Sequence, residues 1–285
     1  MELKHIATRQ GRLSTFLKNE MAMSTGLVNR LKWQQMIFVN GTPRHNDYTV
    51  QIGDVITAAL DEEAPQYPAE EGRLTILYED AHLLAVDKPA GMLIHPSHAT
   101  MTGTLANRVI AHYQKTGQQA AYHPLTRLDR DTFGIVLLAK NSHVHAKLQE
   151  IPVRKTYHAL VFGGPAEDAG TIDAPIARRP LPSLLREVRE DGKPSVTEFA
   201  VLERREKLCK LALRPVTGRT HQLRVHCAHM GYPILGDPQY GSEASKALSD
   251  SLGLRTQLLC AKTLEFAHPI TGETMVLTSR MDAQI

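Results

Sequence analysis

"LTRLDRDTFGIVLLAK", Leu125 to Lys140, decides how this chain is read. Its second half holds an unbroken apolar run, Ile135 to Leu138, the mark of a strand buried in a core. Its first half interleaves two aspartates, Asp129 and Asp131, with two arginines, Arg127 and Arg130. Thr132 and Gly134 indicate a turn between the halves, so a charged cluster stands at the very edge of a core. Guanidinium groups beside a carboxylate favour its anionic form. That suits a nucleophile or an electrostatic stabiliser better than a general base. A structural salt bridge at a strand edge is the plainer reading of Asp129. For Asp131, a solvated carboxylate or a cap on the Thr132 turn is favoured.

Working outward, "LTILYEDAHLLAVDKPAG" reads as a strand, a turn at Glu79-Asp80 and a second strand ending at Lys88-Pro89. "GTLANRVIAHYQKTG" is an amphipathic helix with Gly117 past its end. After the opening stretch come a helix capped by Ser142 and the strand "TYHALVFGG". "KPSVTEFAVLERREKLCKLALRPV" is strand-rich, and "HQLRVHCAHMG" is a short helix closed by Gly231. Strands joined by both hairpins and helices predict a mixed α+β domain rather than a doubly wound one. The first sixty residues read as a separate small module. Leu13, Phe16, Leu17 and Met21 recur at helical spacing, and Ser24 can cap a second helix carrying Leu27, Val28 and Leu31. Short strands follow, with turns at Asn40-Gly41 and Gly53-Asp54. Between module and domain, Asp61 to Gly72 is acidic, holds two prolines and reads as a linker.

Several function classes are disfavoured. Among 285 residues, 42% hydrophobic and 22% charged, no apolar stretch is long enough to span a bilayer, and the N-terminus lacks a signal peptide's apolar core. Three cysteines, without CxxC spacing, suit a reduced cytosolic protein. No GxGxxG or GxxxxGK[ST] loop is present, which counts against nucleotide cofactors. A net charge of +3 permits nucleic-acid binding through a local basic face without arguing for it.

A second constellation is "VTGRTHQLRVHCAHMGYPILGD". Arg219 stands at the entrance to a helix, whose N-terminus welcomes an anion, and Arg224 adds charge nearby. His221, His226 and His229 with Cys227 suggest a metal set, yet no carboxylate or cysteine pair completes one. Cys227 reads as a small buried residue. A third stretch, "RKTYHALVFG", opens an apolar strand with Tyr157, by default a core residue and otherwise a ring at a pocket wall.

In this order, these stretches resemble the RluA family of RNA pseudouridine synthases, from about Leu74 onward. "LYEDAHLLAVDKPAGMLIHP", "RLDRDTFG", "KTYHALVFG", "TGRTHQLRVH" with "GYPILGDPQYG", and "LLCAKTLEFAHPITGE" are similar to the family's successive motifs. The first sixty residues are similar to an S4-like RNA-binding module. The resemblance implies that Asp129 is the catalytic aspartate, that Arg219 pairs with it, and that Tyr157 stacks on the target base. It implies that Arg127 enters the RNA stack when the nucleotide is flipped out. It also implies RNA contacts from Arg130, Arg224, Arg12, Arg30 and Lys32. Two departures stand out: Thr126 replaces the family's histidine and Phe133 its last hydroxyl residue, while Ser24-Thr25 replaces the common Ser-Arg of the module.

Isomerising uridine breaks the N1–C1′ bond and makes a C5–C1′ bond without exchanging electrons, so no cofactor and no metal are expected. The resulting expectation is a cytoplasmic, monomeric enzyme with no membrane association. It comprises an S4-like module (1–60), a linker (61–72) and an α+β catalytic domain (73–285) with a central mixed or mainly antiparallel sheet. Its partner is structured RNA, ribosomal ahead of transfer RNA. The competing readings are a noncatalytic RNA-binding protein that retains the fold, and a metal-dependent hydrolase using the three histidines.

Overall fold

The computed structural model describes residues 2–21, 23, 25–59, 67–97 and 99–284. The N-terminal part begins with β1 (Glu2–Ile6), β2 (Gly11–Arg12) and α1 (Leu13–Thr15), which continues as a π-helical segment (Phe16–Glu20). Then follow α2 (Thr25–Trp33), β3 (Ile37–Val39), β4 (Thr42–Pro43), β5 (Thr49–Val50) and β6 (Val55–Ala59). The predicted apolar stripe is buried: Leu13, Phe16, Leu17 and Met21 pack with Val28 and Leu31 of α2 and with Ile37, Val39 and Ile56 of the strands. The first helix is wider than expected, since the Met21 amide donates to the Phe16 carbonyl five residues back. The sheet order is β1-β6-β3-β4. The Asn40-Gly41 turn forms as read, with φ of 49° and 76° and a two-residue loop between Val39 and Thr42. Ser24 and the first half of the acidic stretch lie outside the described residues. Its second half is docked: Tyr67 packs into the larger domain, and the Glu70 amide donates to the Asn107 carbonyl.

The larger domain begins with β7 (Thr75–Glu79), β8 (Leu83–Lys88), α3 (Leu105–Lys115), β9 (His123–Pro124), β10 (Phe133–Ala139) and α4 (Ser142–Glu150). Next are β11 (Arg154–Phe162), β12 (Ala169–Asp173), β13 (Ile176–Arg178), β14 (Arg186–Val188), β15 (Val196–Arg205) and β16 (Leu208–Pro215). It closes with α5 (Gln222–His229), α6 (Glu243–Ser251), β17 (Leu259–Ala267) and β18 (Thr274–Thr278). One sheet, in the order β12-β15-β16-β11-β17-β10-β8-β7, carries the domain, with β18 on β17 and β9 on β10. Among its described pairs only β10 and β17 run parallel. The expected mixed, mainly antiparallel α+β architecture is the one observed.

The opening apolar run is continuous because β10 is covered on both faces. Val136 and Leu138 point to one side, with Leu84, Val86 and the α3 residues Leu105, Val109 and Ile110. Ile135 and Leu137 point to the other, with Leu83, Ala85 and the α4 residues Val144 and Leu148. The period of two along a strand sends neighbours to opposite cores. Thr104 and Asn107 close a capping box on α3, and Gly117 follows its end at φ 65°. On α4 the cap is Asn141 rather than Ser142: its side chain accepts from the Val144 amide at 2.9 Å, one residue earlier than read.

Candidate active site

Asp129 sits at the tip of the hairpin that leads into β10. The Leu125 amide donates to the Leu137 carbonyl, and the Leu137 amide to the Thr126 hydroxyl at 3.2 Å, so the chain doubles back before Asp129. Thr126, at the position of the family's histidine, thus serves the hairpin from within the core. The Thr132 amide donates to the Asp129 carbonyl and closes a tight turn. Beneath it Gly134 has φ 108°, and a Cβ there would lie 2.4 Å from the Ala261 carbonyl. Only glycine lets β17 pass so close to the foot of the turn. Gln257 donates to the Thr132 hydroxyl from the same side. Asp131 does not cap the turn; Arg130 grips both of its oxygens, at 3.0 and 2.9 Å.

Lys88 lies under this turn with no exposed surface. Its ammonium donates to the carbonyls of Arg130 (2.8 Å), Met92 (2.9 Å) and Pro89 (3.0 Å). Burial pushes its pKa down to about 8, against the opposing pull of Asp131 and Asp129. It ties β8, through the "VDKPAG" stretch, to the hairpin that carries Asp129.

The arginine that meets Asp129 is Arg224, not Arg219. Arg224 Nη1 donates to Asp129 Oδ2 at 3.1 Å. Its Nε and Nη2 donate to the two oxygens of Asp237, at 2.7 and 2.8 Å, and Nη2 also reaches Gln239 Oε1. The Asp237 side chain is wholly buried and that of Arg224 is 5% exposed, whereas the Asp129 side chain is 32% exposed. One carboxylate therefore orients the guanidinium, and the other is open to solvent. Burial works against the Arg224 charge, but the Asp237 and Asp129 carboxylates outweigh it and hold the pKa above its ordinary value. Four of the five N–H groups of Arg224 are thus taken within the protein, which leaves little for the RNA phosphate contact first read for it. Arg219, exposed before the helix, donates from Nε to the Pro194 carbonyl, and its amide to Gln222 Oε1. Arg224 takes the place expected of Arg219 beside Asp129 because α5 begins only at Gln222. Its first turn aims Arg224 at the hairpin tip.

His221 is the residue before α5, held at φ 58°. Its Nε2 lies 3.8 Å from Asp129 Oδ2, and its Nδ1 is 2.8 Å from the Tyr240 hydroxyl. The Arg186 amide donates to that hydroxyl oxygen, so the Tyr240 O–H is available to donate to Nδ1. The network thereby assigns the ring proton to Nε2, facing Asp129. Burial lowers the His221 pKa, with Arg224 adding to the effect and Asp129 opposing it, so the ring is neutral near pH 7. Tyr157 lies where two cores meet, next to a bulge in β11 between Thr156 and Tyr157 that re-aims its side chain. Burial raises its pKa to about 12, the Asp129 charge adding to it, so the phenol keeps its proton.

The remaining residues divide by exposure. Arg127 and Arg130 are exposed at the hairpin, and Arg12 and Arg30 are exposed on the N-terminal part with Lys32 half-buried. His226 is buried with Nδ1 on the Thr197 hydroxyl and Nε2 on the Ala174 carbonyl, while His229 is exposed. The three histidines do not converge. The Cys227 thiol is buried, its pKa pushed up to about 12, which fits the packing role read for it. Lys88, Asp237 and Tyr240 were not singled out as site residues by sequence reasoning, and His221 was read only as a member of a metal set. Their only signal is their place inside the motifs "VDKPAG", "GRTHQ" and "GYPILGDPQYG".

Comparison with known proteins gives the chain its family. Residues 82–229 match the family model described as RNA pseudouridylate synthase. The chain is 40% identical over 245 residues to the uncharacterized RNA pseudouridine synthase YlyB of Bacillus subtilis, covering 83% of this chain and 79% of that one. It is 39% identical over 236 residues to the ribosomal large subunit pseudouridine synthase D of Xanthomonas campestris, covering 79% and 70%. Among solved structures, human RNA Pseudouridylate Synthase Domain Containing 1 superposes with a TM-score of 0.60 at 25% identity, covering 77% of this chain and 94% of that chain. With a family model that matches about half of its length and relatives that span most of it, this chain belongs to the RNA pseudouridylate synthase family, the RNA pseudouridine synthases.

Proposed function

We propose that this protein converts uridine to pseudouridine in structured RNA, ribosomal RNA first, with Asp129 acting at the ribose of a flipped-out nucleotide. The observation that carries the reading is the asymmetry around Arg224. Asp237 holds the guanidinium from within, and its Nη1 steadies an accessible carboxylate. Both routes open to that carboxylate, attack at C1′ and removal of the 2′ hydrogen, begin with Asp129 ionised. Uracil then leaves C1′ through N1, turns, and rejoins through C5, with every atom retained. Tyr157, a protonated ring beside Asp129, is suited to stack on the detached base. Unstacking the nucleotide costs a few kcal/mol, and aromatic stacking returns roughly 1–3 kcal/mol. Ribosomal RNA is favoured because relatives such as the Xanthomonas enzyme carry that substrate in their name.

The path of the RNA follows positive charge. A groove of about 480 Å³ is lined by Arg178, Arg186, Lys193 and Arg219, with Asp191 as its one acidic member. It is joined to the site through the Arg186–Tyr240–His221 hydrogen bonds. Arg127 at the hairpin, and the S4-like N-terminal part with Arg12, Arg30 and Lys32, extend the contact. The test is pseudouridine mapping of total RNA in cells with and without the gene. A site that disappears on deletion, and returns with wild type but not with Asp129→Ala, is the expected result. Full restoration by Asp129→Ala would remove Asp129 from the reaction.

A further inference from the structure

Trp33 is the only tryptophan in the sequence, and it is 84% exposed. It ends α2, whose buried residues are Val28 and Leu31. At 3.6 residues per turn, Gly26, Asn29, Arg30 and Trp33 fall on one stripe away from that core. All four are exposed, and a Cβ placed on Gly26 would meet nothing within 4 Å, so the stripe is open. Gly26 and Arg30 also line a cleft of about 450 Å³, together with Lys18 from the preceding helix and Lys147 and Glu150 from α4. Three cations against one carboxylate make an anionic chain the complementary ligand.

A single exposed apolar side chain is ordinary. An exposed indole one helical turn from an arginine, at the end of a stripe that enters a basic cleft, combines the two parts a single-strand site requires. Cations track the phosphates, and the ring takes a base. In a duplex the faces of the bases are already stacked on one another, so only an unpaired nucleotide can offer one.

We propose that Trp33 is a stacking platform for an unpaired base of the bound RNA, with Lys18 and Arg30 holding the adjoining phosphates. The N-terminal part then recognises single-stranded character, at a point separate from the uridine at Asp129. The inference rests on the reading that the ligand is RNA, and it does not depend on the isomerisation.

The single tryptophan is its own probe. An unstructured oligouridine of about twelve nucleotides, within the range of single-strand site sizes, is titrated into the full chain. A blunt duplex of the same length serves as comparison. Saturable quenching by the single strand and little by the duplex is expected. Anisotropy of the labelled oligomer should show affinity falling roughly tenfold in Trp33→Ala, with most of it returning in Trp33→Phe. Unchanged fluorescence while the oligomer binds would overturn the proposal, as would equal affinity in Trp33→Ala or equal quenching by the duplex. Failure of the single strand to bind would overturn it too, leaving the face to a protein partner. Asp129→Ala in the same titration should quench as wild type does. Quenching by the oligouridine while no pseudouridine in mapped total RNA depends on this gene would therefore indict the proposed function and spare Trp33; a dependent site without quenching would do the reverse.

Discussion

Arg224 and Arg30 carry the same side chain and are used in opposite ways. Around Arg224 the charge is answered at short range: Asp237 grips it from a fully buried position, Gln239 takes another N–H, and Asp129 takes a fourth. Around Arg30 the helix face is open, and its neighbours Gly26 and Trp33 are exposed. A buried charge is tolerable only when its partners are fixed, so the first region is rigid and intolerant of substitution. An exposed charge acts on whatever anion arrives and is screened by salt, so the second region tolerates change and contributes affinity in small increments.

The largest effect is expected at the accessible end of the buried network. Asp129→Asn keeps the size of the side chain and removes its charge. Single-turnover pseudouridine formation should fall by at least about 10²–10⁴-fold, with RNA affinity little changed. A variant that keeps turnover within a few-fold would break the assignment of chemistry to this residue. Asp237→Ala should be costly in a different currency, since it leaves Arg224 buried without its bidentate partner. A loss of about 3–5 kcal/mol is expected, read as a lower midpoint in urea. Arg224→Lys should keep more stability but lose the fork geometry, lowering kcat more than it raises KM.

Gly134→Ala tests the foot of the hairpin. Its φ of 108° and the Ala261 carbonyl 2.4 Å from a Cβ leave no room, so β17 or the turn must move. Overpacking of this kind costs about 1–3 kcal/mol, and the displaced turn should carry activity down with it. Gly26→Ala, on the open stripe, should change stability by less than about 1 kcal/mol and in the favourable direction. Equal losses at the two glycines would erase the contrast.

Lys88 makes the buried region sensitive to alkaline pH. Its folded pKa of about 8 lies below the ordinary 10.5, so the unfolded chain holds the proton more tightly. Between those values the unfolded state binds more protons, and this group's contribution to stability rises with pH, reaching its full extent above 10.5. Comparing wild type with Lys88→Met by denaturant melts from pH 7 to 10.5 should show that rise missing in the variant. Parallel curves would mean that the carbonyl cage stabilises the ammonium as well as water does.

What the sequence made legible follows the same division. The run from Ile135 to Leu138 could be read as a buried strand because strand periodicity and apolar composition are local. Asp129 at its edge was legible for the same reason, through the turn signals Thr132 and Gly134. Which arginine answers Asp129 was not legible. Arg219 and Arg224 share one motif, and the choice depends on where α5 begins and which way its first turn faces. Asp237 lies 13 residues beyond Arg224 and Lys88 lies 42 before Arg130 in the chain, so only the closed fold shows that they belong to one network. The shift of the α4 cap from Ser142 to Asn141 has a smaller cause: either side chain can accept the bond, and the local backbone chooses.

The smallest predicted effect lies at Arg30, and it separates the two regions most cleanly. If Arg30 contacts phosphate, Arg30→Ala should weaken binding to a structured ribosomal RNA fragment only a few-fold. The slope of log affinity against log salt should drop by about 0.7–0.9, the share of one released counterion. Folding stability should stay within about 0.5 kcal/mol of wild type, as for other exposed substitutions. Arg127→Ala, exposed at the hairpin, should reduce the slope by a similar amount and also slow turnover, because it stands two residues from the proposed catalytic Asp129. An unchanged salt slope for Arg30→Ala would take α2 off the RNA path and leave the groove of Arg178, Arg186, Lys193 and Arg219 to carry the electrostatic part of binding.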